Sequence, residues 1–155
     1  MASTLIPMIR VFLDASVLFA AAYSPTGAAR ELFNLAHQEK TVLVVSEFVL
    51  EEAERNLTDK APDKLLAFKE LLTTTETETT PDPTKEEVLA AVEHTPAKDA
   101  PVVAAAKAAN VNFLATYDRK HLVDPPQVAE KSGLTIVTPD VVLMAIREQD
   151  SNDEE

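Results

Sequence analysis

Cysteine is absent from the 155 residues. That excludes disulfides, thiolate zinc sites and cysteine nucleophiles, and it fits a cytoplasmic chain. Aromatic residues are scarce, at 5% against 46% hydrophobic residues in all. A core of this composition is mostly Val, Leu and Ala, packed between helices and a sheet. No apolar run approaches the roughly 18 residues that span a bilayer, so no membrane partner is expected. The opening stretch MASTLIPMIR has no basic leader and too short an apolar segment for a signal peptide. Its apolar residues are expected to enter the first strand. The length suits one domain, and no repeat or linker divides the chain. The expected organisation is a single domain over residues 1–149, followed by an acidic, disordered tail over 150–155.

Basic residues are also in short supply. Fourteen Lys and Arg stand against 26 Asp and Glu, a net charge of −12. Five of the acids fall at the end: Glu148, Asp150, Asp153, Glu154 and Glu155. Without them the body holds 14 basic and 21 acidic residues, or −7. Such a balance is unusual for a protein that approaches phosphates, unless local cations reverse the field at a site.

The pattern of apolar residues predicts alternating strands and helices. Residues 9–13 (IRVFL) read as a buried strand ending at Asp14. Residues 15–22 suit a helix broken by Ser24-Pro25, and Thr26 can cap a second helix over 27–38. Residues 42–45 (VLVV) predict a strand, with Ser46 as N-cap of a helix over 47–57. A further helix is expected over about 62–72. The Thr/Glu stretch 73–83 reads either as an edge strand or as a loop. Thr84 and Glu87 form a capping box for a helix over 85–94. Residues 99–109 are helical with Pro101 in the first turn, residues 111–115 (VNFLA) are a strand, and 135–137 are the last strand. Thr138-Pro139 starts a final helix over 139–148. This order predicts an α/β fold, a parallel sheet with helices on both faces.

Acids fall at informative places in that pattern. Ligands of a parallel sheet bind beyond the carboxyl ends of its strands. Asp14 follows the first strand and Asp118 follows VNFLA, so both belong on one edge. Asp99 opens the helix that leads into VNFLA. That helix is expected to start at the opposite edge unless the preceding loop carries it over, which the residues leave open. In the helix over 47–57, Val49, Leu50, Ala53 and Leu57 share a face. Glu51 points away from it, while Glu52 and Glu54 lie on its two flanks and both stay open.

Four segments together resemble the PIN-domain family, closest to the VapC-like toxin ribonucleases of bacterial toxin–antitoxin pairs. They are VFLDASVLFAA, VVSEFVLEEAERNL, KDAPVVAAAKAANVNFLATYDRKHL and GLTIVTPDVVLMAI. Each alone is a weak motif; the four run in the family's order over nearly the whole chain. The resemblance implies a PIN-like three-layer α/β/α fold and an acidic site of Asp14, Glu52, Asp99 and Asp118. It selects Glu52 over Glu54, because the family's glutamate lies five residues before the leucine that here is Leu57. Ser16 and Thr116 match polar positions flanking the acids. Tyr117 is a departure, since glycine is common there; a tyrosine could narrow the pocket or stack on a base. The resemblance further implies RNA as substrate, an antitoxin protein covering the acidic groove, and a homodimer.

The chemistry suits these residue types. Two unit charges about 4 Å apart interact by about 4 kcal/mol at an effective dielectric near 20. Clustered carboxylates therefore call for protons or cations, and oxygen ligands favour hard ions such as Mg²⁺ or Mn²⁺. Such ions lower the pKa of a bound water and neutralise phosphate oxygens. On this reading Asp14 and Asp99 are the main ligands, and Asp118 and Glu52 complete the site directly or through water. Ser16 and Thr116 orient carboxylates, and Arg119, Lys120 and His121 could meet the RNA backbone. The expected activity is metal-dependent endoribonuclease cleavage. The alternative is a catalytically silent PIN-like domain that binds RNA or protein.

Plainer readings stand beside these. Asp14 and Asp99 could each simply cap a helix, Glu52 could be a solvated helix flank, and Asp118 could hold a turn. His37, His94 and His121 show no zinc spacing and read as surface residues, with His121 also within reach of substrate. An aspartyl-phosphate enzyme built on Asp14 fits poorly. Haloacid-dehalogenase-like enzymes carry an aspartate where this chain has Ser16, and response receivers need acids before the strand-end aspartate, where this chain has RVFL.

Overall fold

The computed structural model of the chain describes residues 7–153. The opening residues 1–6, expected to lead into the first strand, and Glu154 and Glu155 of the acidic end lie outside the described residues.

The short apolar runs pair as one parallel sheet. β1 (Arg10–Leu13) is central, flanked by β2 (Val42–Ser46) and β4 (Phe113–Ala115). β3 (Glu78–Thr80) lies outside β2, and β5 (Ile136–Val137) lies outside β4. All four pairings are parallel, with Phe12 opposite both Val44 and Leu114. A strand covered on both faces is apolar without alternation. Accordingly Val11, Phe12 and Leu13 are all fully buried. The chain leaves β1 toward β2 on one side and reaches β4 on the other, so the strand order reverses between β1 and β4.

Eight α-helices cover this sheet among the described residues: α1 (Ala15–Tyr23), α2 (Ala28–His37), α3 (Glu47–Lys60), α4 (Leu65–Thr75), α5 (Lys85–Val92), α6 (Ala100–Ala108), α7 (Pro126–Ser132) and α8 (Pro139–Asp153). The first four pack on one another, and α2 also carries α8. α5 packs on α6, and α6 on α7. The result is the three-layer α/β/α arrangement that the element order predicted.

Local signals account for most of the boundaries. Ser46 caps α3 through Val49 N. Thr84 and Glu87 form the reciprocal capping box, at 2.8 and 3.1 Å. Several expectations need correction. Thr26 caps nothing: Gly27 holds the N-cap position of α2 at φ 119°, without a side-chain bond. A non-glycine residue is strained in that region. α3 and α4 run to Lys60 and Thr75, each three residues past the expected end, while α5 stops at Val92. The Thr/Glu stretch is divided: its first three residues end α4, and Glu78–Thr80 form the edge strand β3. The final helix continues to Asp153, and Asp150 in its last turns meets Lys40 at 2.6 Å. The helix α7 was not anticipated. Parallel β4 and β5 need a crossover, and this one is bracketed by Pro126 in its first turn and Gly133 at φ 78°, the usual proline-first, glycine-last asymmetry.

Arg10 fixes the amino edge of the sheet. Its guanidinium reaches Glu78 on β3 at 2.7 and 2.9 Å and donates to the Ala109 carbonyl at 3.1 Å. The C-terminal end of α6 is thus held beside the start of β1. No described helix is long and apolar enough to cross a membrane.

Candidate active site

Asp14 sits where β1 becomes α1. Its Oδ1 accepts from the Ala15 amide at 2.8 Å, so the residue does cap α1. Its Oδ2 accepts from Thr116 Oγ1 at 2.7 Å and from Ser16 Oγ at 3.2 Å. Thr116, fully buried just after β4, accepts in turn from the Asp118 amide at 3.0 Å. Ser16 accepts from the Tyr117 amide at 3.1 Å. Two hydroxyls therefore lock the ends of β1 and β4 together, at the point where strand order reverses and a parallel sheet opens a crevice.

Asp118 also has two roles. It begins a turn of π-helix (Arg119–Val123) and accepts from the His121 amide at 3.1 Å. His121 Nδ1 lies 3.2 Å from both Asp118 carboxylate oxygens.

Asp99 opens α6, and its side chain makes no capping bond. Its Oδ2 is buried and has no hydrogen-bond partner. The expectation that this helix starts at the far edge is corrected. A crossover helix must run back against the strands to deliver the chain to the start of the next one. With its end at Arg10, the start of α6 falls beside Asp14, with no special loop required.

Glu52 and Glu54 part company. Val49, Ala53 and Leu57 bury the inner face of α3. Glu52 turns from that face into the crevice, while Glu54 joins Glu51, Arg55, Thr58 and Asp59 along a separate surface groove.

All four predicted acids line one cavity of about 200 Å³, together with Ser16, Asn56, Lys98 and Val102. Asn56 lies one helical turn beyond Glu52, a spacing that was readable in the sequence. Lys98 was missed, because its place depends on the turn before α6. Neither Arg119 nor Lys120 lines the cavity. Asp140 on α8 is held below the usual carboxylate range, chiefly by the Thr138 hydroxyl, with the Arg119 charge also contributing. Tyr117 is exposed and does not line the cavity either. Burial and the charge of Asp140 raise its pKa. His94, read as a surface residue, is half-buried, with Nε2 unpartnered beside the alanines between α5 and α6. His37 is exposed, its Nδ1 3.2 Å from the Thr74 carbonyl.

The crowding of acids has the expected electrostatic cost. Burial is the largest influence raising the Asp14 carboxyl, against the Thr116, Ala15 and Ser16 bonds that hold it down; the Asp118 charge adds to the rise. Glu52 is raised by burial first, then by Asp14 and Asp99, with Arg55 and Lys98 opposing. Asp99 is raised by burial, then by Asp118 and Asp14, with Lys98 the larger opposing influence and His121 the smaller. A divalent cation would relieve all three. The donor set fits one: Asp99, Asp118 and His121 each offer a ligand atom, and these lie within 4.8 Å of one another. The unpartnered Asp99 Oδ2 is an acceptor of the kind such an ion would satisfy.

An α/β/α domain with carboxylates gathered at the switch point of a parallel sheet is the class of protein that these features define. A family model described as PIN domain matches residues 10–120, and the chain belongs to the PIN-domain family. No curated protein sequence matches the chain. Among solved structures, PAE2754 from Pyrobaculum aerophilum superposes with a TM-score of 0.65 at 21% identity, covering 90% of each chain. VapBC2 from Rickettsia felis, bound to a DNA fragment from their promoter, gives 0.58 at 14% identity, over 83% of this chain and 97% of that one. FitAcB from Neisseria gonorrhoeae gives 0.57 at 14% identity with the same coverage. At these identities the likeness is one of fold.

Proposed function

We propose that this PIN domain is a metal-dependent endoribonuclease and the toxin of a toxin–antitoxin pair. The observation that carries the reading is the convergence of Asp14, Glu52, Asp99 and Asp118 on one cavity at the switch point. Capping alone does not account for it, because Asp99 caps nothing and leaves a buried carboxylate oxygen bare.

In this reading Asp14, Asp99 and Asp118 would hold Mg²⁺ or Mn²⁺, with Glu52 completing the site directly or through water and His121 offering a further donor beside Asp118. A bound ion would supply a water of lowered pKa and would neutralise charge on the phosphate. Asp14 contributes a carboxylate already fixed by Thr116, Ser16 and the Ala15 amide, so little ordering remains to be done on binding. Glu52 enters from α3 and can accept a proton from a water in the crevice. In the reaction the water oxygen bonds to phosphorus, the bond from phosphorus to the leaving oxygen breaks, and that oxygen takes up a proton. The partners proposed with this activity are RNA as substrate, an antitoxin protein over the acidic crevice and a second copy of the chain as a homodimer, all in the cytoplasm.

The test is cleavage of a mixed-sequence RNA with Mn²⁺ or Mg²⁺ and with EDTA, beside an Asp14→Asn control. Metal-dependent cleavage lost in the control supports the reading. RNA bound but left intact in every metal would instead favour a silent RNA-binding domain.

A further inference from the structure

A polyanionic substrate meets a poor reception at this site. Four carboxylates face the cavity, and the chain as a whole carries −12. Among the described residues that line the cavity, Lys98 is the only cation. Arg55, the other base acting on Glu52, lines the neighbouring groove with Glu51, Glu54 and Asp59. The basic run after Asp118 stands outside the cavity lining.

The placement of Lys98 is built into the backbone. The Pro96 carbonyl accepts from the Asp99 amide at 2.9 Å and from the Ala100 amide at 3.1 Å. That turn sets Lys98 and Asp99 side by side in the cavity lining, at the start of α6. Lys98 makes no hydrogen bond and no ion pair within 4 Å among the described residues, and its side chain is exposed. Its charge is still felt by Glu52 on α3 and by Asp99 at the start of α6, which line the same cavity. An ammonium that overlooks two carboxylates without being bound by either is available to a third anion.

We propose that Lys98 is the residue that receives the substrate phosphate, its ammonium contacting a non-bridging oxygen of the backbone as the RNA enters the crevice. This rests on the ribonuclease reading above and adds to it the group that offsets the repulsion of the acids. The role also separates two affinities. Toward RNA, Lys98 attracts. Toward a divalent cation in the same cavity it repels, because like charges share the space.

The experiment compares wild type, Lys98→Gln and Lys98→Arg by three measurements. Binding of a short single-stranded RNA is followed by fluorescence anisotropy across a salt series, with Ca²⁺ present and cleavage checked to be absent. Mn²⁺ binding is followed by calorimetry. Cleavage with Mn²⁺ gives kcat and KM. Lys98→Gln is expected to weaken RNA binding about tenfold and to lower the slope of log affinity against log salt by about 0.7, the loss of one single-strand phosphate contact. Its Mn²⁺ affinity is expected to stay the same or rise, and Lys98→Arg to keep most of the RNA affinity. Unchanged RNA affinity and salt slope in Lys98→Gln would overturn the proposal while leaving the ribonuclease reading intact. A joint loss of RNA binding, Mn²⁺ binding and thermal stability would assign Lys98 a structural role and overturn it too. Failure of the wild type to bind or cleave RNA would overturn both readings.

Discussion

Thr116 Oγ1 donates to Asp14 Oδ2 at 2.7 Å while accepting from the Asp118 amide at 3.0 Å. One buried hydroxyl thus spaces two of the acids and ties the end of β4 to the end of β1. Thr116→Val keeps the shape and removes both bonds. Leaving a buried donor or acceptor unpaired costs about 1–3 kcal/mol, so the urea midpoint should fall by a corresponding amount. Thr116→Ser should recover most of it. Equal stability of the valine variant and wild type would show that the hydroxyl is not a structural tie.

Asp14→Asn separates function from stability. Its carboxyl is raised above the usual range by burial, so its charge is disfavoured in the folded state. The amide has a similar shape and no charge. Cleavage and divalent-cation binding should be lost, with the far-UV circular dichroism unchanged. In metal-free buffer at neutral pH the variant should melt no lower than wild type. Full activity in Asp14→Asn would sink the site assignment.

The pH dependence follows with a definite sign. Asp14, Glu52 and Asp99 all have carboxyl pKa values raised in the folded state. The folded protein therefore holds more protons than the unfolded chain above the ordinary carboxylate range, and stability falls as pH rises through that window. Metal-free protein should lose stability in urea titrations from mildly acidic toward neutral pH. Glu78 works the other way, since its bond to Arg10 lowers its pKa, but that exposed pair contributes little. Saturating Mn²⁺ should flatten or reverse the slope, because it binds the ionised form. A slope of the same sign and size with and without metal would refute the link between the acids and the ion.

The parts of this site that were legible in the sequence are those fixed by strand ends. A run such as VFL followed by Asp14, or FLA followed by Thr116 and Asp118, states its own edge once the sheet is parallel. Helical phase took Glu52 only as far as a choice with Glu54, since both flank the buried face; which flank meets the crevice depends on how α3 sits against the sheet. Asp99 was decidable, because a crossover helix must run against its strands. Lys98 was not, because its approach to the acids is set by a turn around Pro96 rather than by a repeat. The short helix α7 went unseen because seven residues are too few to show a period, although Pro126 and Gly133 marked both ends.

His121 changes the expected chemistry of the donor set. The sequence pointed to oxygen ligands, which serve Mg²⁺ and Mn²⁺ alike. The structure sets an imidazole beside Asp118 at 3.2 Å and within a 4.8 Å cluster that includes Asp99. Nitrogen donors suit transition ions better than Mg²⁺, which prefers oxygen and retains water. Wild type should therefore bind Mn²⁺ more tightly than Mg²⁺. His121→Ala should lower Mn²⁺ affinity by about tenfold or more, the usual range for a ligand or a ligand's close partner, and should change Mg²⁺ affinity less. Calorimetry with each ion gives the ratio directly. His121→Asn, which can still accept a bond from its neighbours but lacks the ring, should behave as the alanine variant does. If both variants lose Mn²⁺ and Mg²⁺ affinity equally, His121 acts only by holding Asp118 in place. If neither loses any, the imidazole stands outside the site.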